Sequence, residues 1–426
     1  MSRLVFVVAL AGLGACDVMA GADVAAIGNP SDSAASDASD AADANDATDD
    51  GAVDDSHATD DSHATDEVAD DAVSDSADGA DAAPRDFGPP VPAQLAAALQ
   101  AVLDAHFGDV HAAGAAIGVR LPDGSWWEGV AGEACFDPES KVAVGDRFRL
   151  GSITKTWVAA ATLQLVDEGR VSLDTAVGEV LPDFDFDPGV TVRRCLSHTT
   201  GIFDLTDDVT SVEADFSKPI DPGEIVRQSL AHGPDFAPGQ GYEYSNTNYF
   251  ILGLLIEAIT DEPIAKVLRE RFLDPLELHD TFLEDAEPAT TTFVCGNVRD
   301  VDVTHLLDMS WTWAAGAMVS STGDMCRWAD ALWRGGVLPP ALRTAMMTPT
   351  VLPDGRTIGY GFGTKLETRG VPVVGHNGQT LGFQSELFID PVSGLCVAVL
   401  ANDFGASPEA LGRPAWDVLV PALDLP

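Results

Sequence analysis

A serine and a lysine three residues apart, Ser152 and Lys155, stand near the start of the stretch "RLGSITKTWVAAATLQLVDEGRVSLD", residues 149–174. The stretch reads as an amphipathic helix from Ser152 to about Glu168, stopped at Gly169. A lysine in the first turn opposes the helix dipole, and the chain has only 23 Lys and Arg residues against 68 Asp and Glu. Positions i and i+3 share one helix face, so the amine can serve the hydroxyl. A serine oxygen is a weak nucleophile until a base takes its proton. Lysine can be that base where burial and neighbouring positive charge favour its uncharged form. The first-turn amides of the helix can also steady an oxyanion. Alone, S-x-x-K is a common spacing, and a solvated lysine with no task would look the same.

Two further clusters carry compatible chemistry. "GYEYSNTNYF" sets Tyr244, Ser245 and Asn246 on a loop that feeds an apolar helix. A tyrosine beside a lysine can relay the serine proton to a leaving group. Asn246, two residues on, lies on the same side in extended backbone and offers a donor and an acceptor to a substrate amide. "GHNGQTLGF" puts His376, Asn377 and Gly378 at the end of a strand. The glycine lets another backbone come close, so the N–H of Gln379 can face that of Ser152 as an oxyanion hole. His376 would add a polar or positive wall to the cleft. Taken singly, these are an ordinary turn before a helix and an ordinary strand end.

The elements that must position these groups follow from periodicity. "VPAQLAAALQAVLDAHF" (91–107) has helical spacing, and "GAAIGVRLPDGSWWEGVAG" (114–132) reads as a hairpin around Pro-Asp-Gly. "TNYFILGLLIEAIT" (247–260) predicts a buried helix; another starts near Thr322 after "SST" and ends around Gly335-Gly336. Residues 371–403 give three strand-like runs, and a closing helix is expected near 407–421. Strands at both ends with helices between predict an α/β (α+β) domain over 89–426: an antiparallel sheet, closed by both termini, flanked by helices and carrying a helical insertion.

The rest of the chain has a different composition. Residues 1–16, "MSRLVFVVALAGLGAC", combine Arg3, an apolar run and small residues before Cys16, the pattern of a secretory signal. Leu13-Gly14-Ala15-Cys16 resembles a lipobox, which would make Cys16 a lipidated first residue and place the protein outside the cytoplasm on a bacterial membrane. The alternative is a plain signal cleaved nearby. Residues 17–88 are almost wholly Ala, Asp, Ser, Gly and Thr, with about twenty acidic residues; such a stretch is expected to stay disordered as a stalk. Its r.m.s. reach is at least about 45 Å. His57 and His63, in the near-repeat "DSHATDDSHATD", read as part of the linker rather than as metal ligands.

The formal net charge is −45, and the stalk accounts for less than half of it, so nucleic acid is not an expected partner. Apart from Cys16 there are Cys135, Cys195, Cys295, Cys326 and Cys396, without CxxC or Cys/His spacing, so neither a metal nor another cofactor is implied. Cys195, Cys326 and Cys396 sit in apolar patterns as buried small hydrophobes; Cys135 and Cys295 lie in polar loops where a bridge between them is open.

In chain order, S-x-x-K, Y-x-N and H-x-G resemble the penicillin-recognising serine hydrolases: class C β-lactamases, DD-peptidases of peptidoglycan, and esterases and D-amino-acid peptidases on the same scaffold. "LSHTTGI" (196–202), "FAPGQGYEYSNTNYFILG" (236–253) and "AGAMVSSTGDMCRWADAL" (315–332) also look like blocks of that family. The resemblance implies Ser152 as the acylated nucleophile, Lys155 as its partner and Tyr244 as acid/base. Asn246, His376, Asn377 and Gly378 would then bind substrate, with the N–H groups of Ser152 and Gln379 as oxyanion hole. His198 belongs to a block expected to be structural, and Trp311 and Trp313 to core or rim packing. His376-Asn377-Gly378 replaces the Lys-Thr-Gly of β-lactamases, which removes the lysine that would hold a substrate carboxylate. The α/β-hydrolase elbow G-x-S-x-G and the metalloprotease H-E-x-x-H are absent. The activity implied is cleavage of an amide or ester through an acyl-enzyme; the alternative is a slow or non-catalytic penicillin- or peptidoglycan-binding lipoprotein.

Overall fold

The computed structural model describes residues 87–206, 215–284, 286–287 and 293–425. Residues 1–16 with Cys16, and the linker through Asp86, lie outside the described residues. Helix α1 (Ala93–Val110) leads into strands β1 (Gly114–Arg120), β2 (Trp126–Phe136) and β3 (Glu139–Lys141). Helices α2 (Lys155–Asp167), α3 (Pro222–His232), α4 (Thr247–Thr260) and α5 (Thr322–Trp333) follow. The chain then returns through β4 (Lys365–Thr368), β5 (Pro372–Thr380), β6 (Phe383–Ile389) and β7 (Cys396–Ala401) and closes with α6 (Glu409–Ala422).

The seven strands form one antiparallel sheet in the order β4-β5-β6-β7-β1-β2-β3. The expected closure by both ends of the domain is the β7–β1 pairing, from Ala115 opposite Ala401 to Arg120 opposite Cys396. Both faces of the sheet are buried, so side chains separate by parity rather than by polarity. Ile117, Val119, Val397, Val399 and Phe388 join a core with α1 and α6; Ala116, Ala398, Leu400, Leu387 and Ile389 join the larger core under the helical insertion.

The helix from the S-x-x-K stretch is not amphipathic in place. Lys155 through Leu163 are all buried, because the helix threads between sheet and insertion instead of lying on the surface. It is fixed by Trp157 stacked on Trp328 of α5 at 4.7 Å, and by the Trp328 indole N–H donating to Thr156 Oγ1 at 2.8 Å. Gly169, at φ +68°, follows its C-terminus as expected. Ser321 caps α5 through a bond from the Asp324 N–H.

Cys135 on β2 and Cys295 are joined in a disulfide spanning 160 residues, while Cys195, Cys326 and Cys396 are buried thiols. The bridge ties the sheet to the far end of the insertion. Closing so long a loop is worth about 2–5 kcal/mol. Replacing both cysteines by serine is therefore expected to lower the melting temperature by several degrees, read by calorimetry; an unchanged melting temperature would count against the bridge.

Candidate active site

Ser152 does not begin the long helix. It sits in a 3₁₀ turn, Gly151–Thr154, that runs directly into α2 at Lys155. The turn needs Gly151 twice over. Its φ of +54° is left-handed, and a Cβ there would lie 2.6 Å from the backbone nitrogen of Gln379. Across from it, a Cβ on Gly378 would lie 1.9 Å from the Leu150 carbonyl oxygen and 2.9 Å from the Ser152 nitrogen. Two glycines thus let β5 lie directly against the serine turn. Ser385 on β6 secures the contact by donating to the Leu150 carbonyl at 2.6 Å.

The Lys155 side chain is 0% exposed. Its Nζ lies 2.9 Å from Ser152 Oγ, 2.6 Å from Asn246 Oδ1 and 2.8 Å from the Ala315 carbonyl oxygen. The Tyr244 ring stands beside the same amine, with its centroid 5.0 Å from Nζ. S-x-x-K and Y-x-N therefore meet at one buried nitrogen.

Asn246 departs from expectation. Its Nδ2 donates to Asp204 Oδ2 at 3.0 Å and to Thr206 Oγ1 at 2.9 Å, and its backbone N–H donates to Asp204 at 2.7 Å. Both amide hydrogens are spent on the protein, so the side chain has no donor left for a substrate and keeps only acceptor capacity on Oδ1. Burial raises the Asp204 carboxyl above its ordinary range, opposed by its bonds to Asn246 and Thr206 and by the Lys155 charge.

His376 also departs from expectation. It is 1% exposed and does not form a wall of the cleft. Its Nε2 meets the Tyr360 hydroxyl at 3.0 Å and its Nδ1 meets the Asn377 carbonyl. Burial pushes its pKa well below the ordinary value, and Lys365 and Lys155 push the same way, so it is not a positive group. Asn377 does not line the cleft either. It lies directly across from Glu386, whose carboxylate meets buried Arg369 on the face toward α6. Strand parity sends Asn377 to the α6 face, whereas His376 shares the face of Gly378 and is covered there by Tyr360 and Tyr244.

The cleft opens over Ser152, between Gln379 on β5, Asn246 and Phe250 of α4, and Trp311 with Ala315 and Gly316. None of the described residues lining it carries a charged side chain. Trp311 both lines the cleft and packs on Phe216, whereas Trp313 is core against Phe250. Sequence reasoning missed Asp204, Thr206, Tyr360 and the Ala315 carbonyl. The last has no residue-type signature, since any amino acid supplies it.

The Beta-lactamase family model matches residues 94–420, and the chain belongs to that family, whose fold is that of the serine β-lactamases and transpeptidases. It is similar to Penicillin-binding protein 4 of Amycolatopsis lactamdurans, at 29% identity over 316 residues, covering 68% of this chain and 81% of that one. A D-stereospecific amidohydrolase from Streptomyces sp. superposes with a TM-score of 0.65 at 30% identity, covering 74% of this chain and 97% of that one. The D-amino acid amidase of Ochrobactrum anthropi SV3, complexed with L-phenylalanine amide, gives a TM-score of 0.67 at 28% identity, covering 78% and 99%. Other curated relatives are longer, and the chain spans about half of their length.

Burial also lowers the pKa of His198, and Lys155 pushes the same way. An imidazole depressed in the folded state takes no proton where the unfolded chain does, so its contribution to stability is present above about pH 6.5 and lost as pH falls below it. Buried carboxylates with raised pKa values act in the opposite sense, so a variant must isolate the imidazole. The loss of melting temperature between about pH 7 and 5.5 is expected to be shallower in His376→Gln than in the parent; equal slopes would contradict a neutral buried His376.

Proposed function

We propose that this chain hydrolyses an amide or ester through an acyl-enzyme on Ser152, and that its substrates carry no charge on the leaving side. The observation that carries this reading is the Lys155 amine at 2.9 Å from Ser152 Oγ, with Asn246 and Ala315 accepting from it on other sides. In its uncharged form, an amine so held donates two hydrogens and keeps its lone pair for the serine proton. As that proton passes to Lys155, Oγ bonds the substrate carbonyl carbon, and the carbonyl oxygen becomes an anion received by the N–H groups of Ser152 and Gln379. Tyr244 delivers the proton to the departing nitrogen or oxygen, and the bond to the leaving group breaks. Water then enters by the same steps in reverse order, releasing the acid and restoring Ser152. Gly378 serves by its missing side chain. Asn246 holds Lys155 and can accept from a substrate N–H, and His376 and Asn377 act from behind the cleft.

A cleft whose described lining holds no cationic side chain favours amides and esters over substrates that end in a carboxylate, such as a carboxypeptidase's peptide or a β-lactam. The D-stereospecific amidohydrolase and D-amino acid amidase relatives support a D-amino-acid amide or peptide as the acyl donor. The penicillin-binding relative supports a peptidoglycan peptide as the second reading. Full-length protein and Ser152→Ala are to be incubated with D-phenylalanine amide, p-nitrophenyl butyrate and a fluorescent penicillin, following product and adduct mass. Amide or ester turnover lost in Ser152→Ala is expected. A stable penicillin adduct without turnover would favour the peptidoglycan reading, and no adduct or turnover with any of them would reduce the chain to a binding lipoprotein.

Export and anchoring through Cys16 complete the proposal. They are supported by the signal-like residues 1–16 and by the Cys135–Cys295 disulfide, a bond that persists in oxidising compartments. Expressed in a bacterium fed labelled palmitate, the chain is expected to incorporate label and to lose it in Cys16→Ala; label retained in that variant would rule Cys16 out.

A further inference from the structure

Behind the catalytic wall lies a group of buried polar rings that the mechanism does not use. His198 Nε2 lies 3.3 Å from the Tyr360 hydroxyl, which lies 3.0 Å from His376 Nε2. The partners at the two ends fix which atoms hold protons. His198 Nδ1 accepts the Ser245 backbone N–H at 3.2 Å, so the ring hydrogen sits on Nε2 and points to the Tyr360 oxygen. His376 Nδ1 faces the Asn377 carbonyl, which only accepts; its hydrogen is therefore on Nδ1, and its Nε2 accepts from Tyr360. These three hydrogen bonds then run the same way, from His198 through Tyr360 and His376 to the Asn377 carbonyl, while the Tyr360 hydroxyl also meets the phenol of Tyr249.

The chain of rings touches both halves of the site. At one end, His198 brackets Tyr244: its carbonyl accepts from the Glu243 N–H at 3.1 Å and its Nδ1 from the Ser245 N–H, while its ring lies 4.2 Å from the Tyr244 ring. Tyr360 and His376 flank the same tyrosine ring at 6.1 and 6.2 Å. At the other end, the Asn377 carbonyl belongs to the residue before Gly378 and Gln379, the segment of β5 that lies against the serine turn. The backbone of His198 is left-handed, at φ 55°, a conformation that costs a non-glycine residue energy and persists where surrounding bonds impose it.

We propose that His198, Tyr360 and His376 are positioning residues: a one-way hydrogen-bond chain that sets the Tyr244 ring over Lys155 and couples it to the oxyanion strand β5. The low pKa values of both imidazoles agree with a chain that carries no net charge beside Lys155, Lys365 and the phenols of Tyr242, Tyr244 and Tyr249. In this role the histidine of H-x-G serves catalysis from the rear and does not bind substrate. The kinetic half of the inference rests on the acyl-enzyme reading; the tautomers do not.

Imidazole ¹⁵N spectra of the full-length protein, assigned with His198→Asn and His376→Asn, test the direction of the chain. The expected result is a hydrogen on Nε2 of His198 and on Nδ1 of His376, both retained at a pH where exposed histidines have become charged. The reverse tautomer or an imidazolium at either site would overturn the proposal. Tyr360→Phe keeps the ring and deletes both links to the histidines, together with the hydroxyl's bond to Tyr249. It is expected to lower kcat by about tenfold or more while KM stays within about twofold, with the fold retained by circular dichroism. Unchanged kcat in that variant, or kcat and KM altered as they are by mild destabilisation elsewhere in the core, would overturn the positioning role. A parent protein with the expected tautomers but no Ser152-dependent turnover would overturn the proposed function, and the positioning role with it, while the direction of the chain stands.

Discussion

The amine of Lys155 has to be buried, and most of the domain is arranged to make that tolerable. A polar head removed from water costs several kcal/mol unless acceptors surround it. Here they come from three distant parts of the sequence: the turn before α2, the entry to α4 and the segment before the strand Met318–Ser320. Those segments cannot separate without exposing the nitrogen or leaving it unpaired. The stacked Trp157–Trp328 pair and the apolar α4 hold them together at low cost, because large apolar surfaces are gained in the same contacts.

A second constraint meets the first from the opposite side. The sheet approaches the serine turn so closely that neither Gly151 nor Gly378 can carry a β-carbon. This makes an edge-to-turn contact of backbone on backbone, in which Ser152 and Gln379 share one corner of the cleft. Backbone amides held by a sheet and a helix start do not reorganise as charge develops, which is what electrostatic stabilisation requires. Among the described residues the cleft walls carry no charged side chain, so that corner and the buried amine are the main polar groups near Ser152.

Much of this was legible in the residues. Thr247–Thr260 matches the expected helix at both ends, because an unbroken apolar run with turn signals on either side has few other readings. The hairpin at 114–132 and the three late strands were equally clear from alternation and turn chemistry. The convergence of Ser152, Lys155 and Tyr244 followed from resemblance, since nothing local joins residues ninety positions apart. Three features were hidden. Asn246 donates inward because Asp204 and Thr206 come back beneath it, a tertiary fact with no local pattern. His376 shares the face of Gly378 but is covered there by Tyr360 and Tyr244, which come from other segments. Ser152 sits in a 3₁₀ turn rather than on the helix itself, a difference set by the left-handed Gly151.

The pairing of β1 with β7 governs when the molecule can exist at all. Ala115 finds its partner in Ala401, so the centre of the sheet joins strands from opposite ends of the domain. During synthesis the first hairpin is made early but has no neighbour on that side until nearly the whole domain has emerged. Contacts of such sequence separation form slowly, since a long loop must close before they repay its entropy. The growing polypeptide therefore stays incomplete, with Ser152 and Lys155 lacking their common surroundings, until its last strand docks. The site's geometry is thus completed by the final step of assembly rather than by degrees.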